Sequence, residues 1–84
     1  MIYAHLAPNM READFWAKCF IDKNSGNVEK VRKSAIMMVK LVGGDEHYFM
    51  SINAYERWNR GRTYILDGVL YRSGFPQAKG GDDK

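Results

Sequence analysis

Ile2, Ala4 and Leu6 alternate with Tyr3 and His5, a period of two that predicts a short strand, and Pro8 ends it. Ala13 to Asp22 reads two ways. At period two, Phe15, Ala17, Cys19 and Ile21 share a face; at helical spacing, Ala13, Trp16, Ala17 and Phe20 form a stripe, with Asn9 and Glu12 at capping-box spacing. The density of aromatic residues and the turn-forming Asp22–Gly26 favour the strand.

Val28 to Val42 carries the most helix-like pattern. Val28, Val31, Ala35, Met38, Val39 and Val42 recur at three- and four-residue steps, and Glu29, Lys30, Arg32, Lys33 and Lys40 take the other side. Asn27 is placed to cap this helix and Gly43-Gly44 to end it. Five β-branched residues in the stretch count against it. Glu46 to Ile52 alternates again and predicts a strand. Asn53 to Asn59 predicts a helical turn, with Asn53 and Glu56 at capping-box spacing and Gly61 as its stop.

Asp67-Gly68 is a favoured two-residue hairpin turn. It pairs Leu66 with Val69, Ile65 with Leu70, Tyr64 with Tyr71 and Thr63 with Arg72, giving a hairpin over 62–66 and 69–73. Together these elements predict an α+β fold: a small antiparallel sheet, one long helix over 28–42 packed on it, and a C-terminal hairpin.

A chain of 84 residues makes one domain, expected over 1–76. From Gln77 the sequence has no large apolar residue, so 77–84 is expected to be a flexible tail. Such a domain buries only about 60–65% of its unfolded surface, so Met37, Met38, Tyr48, Phe49 and Met50 are expected in the core rather than on a binding surface. The single cysteine, Cys19, allows no internal disulfide and fits a reducing, cytoplasmic setting; its apolar neighbours suggest an inert, buried thiol. Met1 to Glu12 has no signal-peptide pattern, and no apolar run approaches the roughly 20 residues that span a bilayer, so no membrane partner is expected.

Thirteen basic and ten acidic residues give a net charge of +3, which favours an anionic partner only mildly. Distribution says more. Arg57, Arg60 and Arg62 surround Trp58, with Tyr55 before them and Arg72 opposite in the predicted hairpin. Guanidinium groups fork onto phosphates and aromatic rings stack on bases. Lys30, Arg32 and Lys33, on the polar side of the predicted helix, would extend the surface. A plainer arrangement has Trp58 in the core and the arginines paired with Glu56 and Asp67.

No catalytic, metal or cofactor motif is present. His5, His47 and Cys19 lack ligand spacing, Asp45-Glu46-His47 reads as turn chemistry, and no Gly-rich phosphate loop exists. The expectation is a non-catalytic module that contacts a nucleic acid or nucleoprotein through Tyr55, Arg57, Trp58, Arg60, Arg62, Arg72, Lys30 and Lys33. The alternatives are a regulator or inhibitor that occludes a larger enzyme, signalled by an exposed Trp16 or Trp58, and a small toxin-like ribonuclease using Arg62, Tyr64 and Tyr71.

Overall fold

The computed structural model describes residues 1–72. The expected tail over 77–84, and Ser73 at the end of the predicted hairpin, lie outside the described residues. The fold is α+β, with two helices on a six-stranded sheet. In chain order the elements are β1 (Ile2–Ala7), α1 (Met10–Lys23), β2 (Val28–Arg32), β3 (Met37–Leu41), β4 (Glu46–Ser51), α2 (Ile52–Trp58), β5 (Tyr64–Leu66) and β6 (Val69–Tyr71). The strand order is β2-β3-β4-β1-β5-β6. The sheet is mixed rather than purely antiparallel, because β1 runs parallel to both β4 and β5.

The long helix is α1, and the stretch 28–42 is a pair of strands. Residues 28–42 were expected to be helical from apolar steps of three and four. The structure instead pairs Val31 with Val39 and Arg32 with Met38 across an antiparallel ladder. Met37, Met38 and Val39 are all buried in succession, which requires cover on both faces; a helix on a sheet would have turned one of them to water. The β-branched residues fit this pleated surface. Asn27, expected as a helix cap, instead accepts the Val42 N–H through its own carbonyl at 2.7 Å.

The strand favoured for Ala13–Asp22 is a helix. Asn9 caps it by accepting the Glu12 backbone N–H at 2.9 Å, and Asn24 closes the other end by donating its side-chain amide to the Phe20 carbonyl at 2.8 Å. Ala13 and Ala17 are fully buried against the sheet, whereas Phe15 and Cys19 face outward, so the helical stripe prevailed over the alternating one. The exposure of Cys19 also corrects the expectation of a buried thiol. The second helix begins earlier than expected, capped by Ser51, whose hydroxyl accepts the Ala54 N–H at 3.4 Å.

The hairpin turn follows the sequence. Asp67 and Gly68 both have positive φ, 51° and 80°, as a type I′ turn demands. The register is Leu66–Val69, Ile65–Leu70 and Tyr64–Tyr71, and Arg72 follows the last paired residue. The ribbon is thus shorter than the 62–66/69–73 span expected.

Side chains from the two faces of the sheet build two apolar layers. On the α2 side lie Ala4, Met38, Tyr48, Met50, Trp58 and Tyr64; on the α1 side lie Ala7, Ala13, Ala17, Met37, Val39 and Phe49. Met37, Met38, Tyr48, Phe49 and Met50 are all in the core, as the size of the chain demanded.

Two substitutions separate this architecture from a helix over 28–42. Asn9→Ala is expected to lower unfolding stability by about 1 kcal/mol, while Asn27→Ala costs less than about 0.5 kcal/mol. Chemical denaturation measures both; a reversed ranking would contradict the assignment of α1 as the capped helix.

Candidate functional site

The cationic residues are placed by strand register. Lys30 pairs with Lys40, and Arg32 pairs with Met38. Directly opposed residues share a face, so Lys30, Arg32 and Lys40 stand on the same side of the sheet as Met38 and Tyr48, the side that carries α2. A register shift between Val28 and Lys30 sets this phase, so that Val28, opposite Leu41, joins the α1-side layer.

Arg62 reaches the same face from the segment after α2. Its Nε donates to the Trp58 carbonyl at 2.9 Å, satisfying one of the last carbonyls of the helix. Its guanidinium carbon sits 5.0 Å from the Trp58 ring centroid and 5.9 Å from that of Tyr48. The Tyr48 phenol is held above its usual range first by burial, then by its hydrogen bond and proximity to Glu46, while Arg62 and Arg32 pull the other way. Both arginines therefore act on one phenol. The carboxylate among them, Glu46, accepts the Tyr48 hydroxyl at 2.7 Å.

Lys30 and Lys40 are like charges set directly across a ladder, a costly arrangement that Glu46, directly across from Lys40 on its other side, offsets in part. Among the described residues, the one ion pair joins the N-terminal ammonium to Asp45 at 3.1 Å, and no Lys or Arg side chain lies within bridging distance of a carboxylate. The arginines are therefore not paired with Glu56 and Asp67, the plainer arrangement the sequence allowed.

The expected site is assembled only in part. Trp58 is 7% exposed, so its ring is core material and cannot stack on a base; this corrects its place in the surface cluster. Its Nε1 is buried without a hydrogen-bond partner. Tyr55 is half-buried, with its hydroxyl 2.6 Å from that of Tyr64. Arg57, Arg60 and Arg72 are exposed. Arg72 follows β6, at the opposite edge of the sheet from Lys30 on β2, roughly 24 Å away at normal strand spacing. Lys33 is exposed in the loop after β2, and Lys30 lies on an edge strand, so neither is on a helix. Lys40 was missed as a site residue, and Arg32 was grouped with Lys30 and Lys33 on a helix face that does not exist. The signal was there in Lys30-x-Arg32, an alternation that the helical reading of the stretch concealed.

Of the residues of the ribonuclease alternative, Arg62 is exposed, Tyr71 is half-buried and Tyr64 is buried. Tyr64 is 3% exposed, stacked on Tyr71, and its phenol is driven far above its usual range by burial and by the Tyr55 hydroxyl.

The other face brings together two residues that the sequence kept apart. His5 Nε2 and His47 Nδ1 are 3.0 Å apart, one ring donating and the other accepting. Tyr3 stacks on His47 at 4.6 Å, Phe49 stacks on His5 at 4.5 Å, and Phe20 of α1 covers both. Burial lowers the His5 pKa to about 4, with the neighbouring His47 adding to the effect and Asp67 opposing it. His47 is also lowered, by burial first, with Asp45 opposing. Among the described residues no cluster of three His, Cys, Asp or Glu side chains can hold a metal ion. The pair reads as a neutral structural contact between strands.

A shallow cavity of about 290 Å³ lies at the ends of β1 and β4, lined by Pro8, Asn9, Met10, Ser51, Ile52 and Asn53. No lining residue is charged, so it offers no acid, base or nucleophile of altered reactivity. No helix of the described residues is long and apolar enough to cross a membrane. No known protein family, curated protein or solved structure matches the chain.

The histidine pair makes stability depend on acid. Because folding lowers the pKa, the neutral pair contributes fully above about pH 6.5 and its contribution is lost as pH falls toward 4. The loss is expected to be about 1–2 kcal/mol, less than the full shift implies because water reaches both rings. Urea unfolding measured from pH 7 to pH 4 shows this fall in the parent chain and a flatter profile in His5→Phe. Parallel profiles would contradict the account.

Proposed function

We propose that this chain is a non-catalytic cytoplasmic binding module that contacts a nucleic acid, free or within a nucleoprotein, through the α2 side of its sheet. The supporting observation is that Lys30, Arg32, Lys40 and Arg62 share one side of the sheet, with both arginines acting on Tyr48, Lys40 across from Glu46, and no cation among them within ion-pair distance of a carboxylate. Opposed lysines cost folding energy, and a phosphate seated between them turns that repulsion into attraction. Arg57 and Arg60, exposed at the end of α2, extend the positive field on that side. Exposed Cys19 fits a compartment that keeps thiols reduced.

A second reading, a regulator that occludes a larger enzyme, draws on α1. Phe15 is 60% exposed and Trp16 38% exposed on that helix, a pair of large apolar rings of the kind that anchor protein interfaces. Its test is one stoichiometric protein partner recovered after nuclease treatment and lost on Trp16→Ser.

The nucleic-acid reading is tested by fluorescence anisotropy with labelled oligonucleotides at ~50 mM salt, where phosphate contacts are strongest. Micromolar binding is expected, with a loss of at least tenfold in the triple variant Lys30→Gln, Arg32→Gln, Lys40→Gln and little change in Phe15→Ser. Undetectable binding of DNA and RNA alike would overturn it.

A further inference from the structure

We propose that the anionic partner is a double-helical nucleic acid, gripped by its phosphates with no base read; this rests on the polyanion-binding reading above. Proteins that hold single strands combine positive charge with open aromatic rings on which bases stack. The α2 side of this sheet has the charge and has closed the rings nearest it; Tyr55 and Tyr71, on the same side, are half-buried. Trp58, Tyr48 and Tyr64 are 7%, 7% and 3% exposed. The Arg62 guanidinium lies over the Trp58 ring, and the hydroxyl of Tyr64 is tied to that of Tyr55.

The open aromatic side chains, Phe15 and Trp16, belong to α1, which packs on the opposite face. A strand lying along the cations would not meet them.

The backbone positions that carry the cations are also held at fixed separations. Lys30 and Arg32 are two residues apart on β2, about 7 Å, and Lys40 stands across from Lys30 at about 5 Å. A rigid backbone that carries charges at regular spacing suits the regular phosphate array of a duplex better than a flexible strand, which must be ordered at an entropic cost on binding. Side chains that reach only phosphates position a protein without reading sequence.

The experiment compares a mixed-sequence duplex DNA, the corresponding duplex RNA and each component single strand by anisotropy at ~50 mM salt. At least one duplex is expected to bind about fivefold or more tightly than its single strands, and shuffling its sequence to change affinity by less than about twofold. The slope of log K against log salt is expected near −3 to −4, about −0.9 per phosphate contact, and Lys40→Gln reduces it by about one contact. A preference between the two duplexes identifies the helix and supports the inference. Single strands bound as tightly as duplexes, or a tenfold loss on shuffling, would overturn it while leaving the polyanion reading intact. Failure of every oligonucleotide to bind would overturn both.

Discussion

Insertion of β1 between β4 and β5 is the pairing on which the rest of the structure depends. It registers six residues of β1 against β4, Ile2 with Glu46 through Ala7 with Ser51, and two of the same six, Tyr3 and Ala4, against β5. Without it, the β2–β3–β4 meander and the β5–β6 ribbon are separate pieces, and the two-stranded ribbon is too small to be stable alone. The two residues of this strand that are fully buried are both small. Ala4 is buried toward α2 and Ala7 toward α1, so each helix can approach closely. The N-terminus is tied down as well, with Met1 accepting the Glu46 N–H through its carbonyl and pairing its ammonium with Asp45.

That arrangement gives the two faces different characters. Toward α1 the sheet presents His5, His47, Tyr3 and Phe49 as stacked neutral rings under Phe20. Toward α2 it presents an aromatic layer sealed by Arg62, with a cationic margin on β2 and β3. Since α2 is only seven residues long, it covers the aromatic layer and does not extend to the edge strand. The cations are therefore placed by backbone pairing, with Glu46, across from Lys40, as the carboxylate beside them.

Much of this was legible in the sequence where the signal was local. Asp67-Gly68 specified its turn and register because only a few conformations suit two positive φ angles in succession. Alternation identified β1 and β4. Where the decision was tertiary, the pattern misled. Met38, Val39 and Val42 satisfy helical spacing, but Met37 also had to be buried, and only a strand covered on both faces buries 37, 38 and 39 together. For residues 13–22 the capping pair Asn9 and Glu12 was the informative feature, and the aromatic residues that argued for a strand are partly the ones left outside, Phe15 and Trp16. The cationic site was half visible. The residue types were noticed, but their grouping depended on a strand order that brings β2 beside β3 and sends β6 to the far edge.

The central claim is that the molecule meets its partner with the cationic, α2-side face of the sheet. Backbone amide shifts recorded while a short duplex is titrated into the ¹⁵N-labelled chain locate the contact directly. The account predicts changes concentrated at Lys30–Arg32, Lys40 and Arg62, with α1 unmoved. Changes centred on Phe15 and Trp16, with β2 and β3 silent, would contradict it.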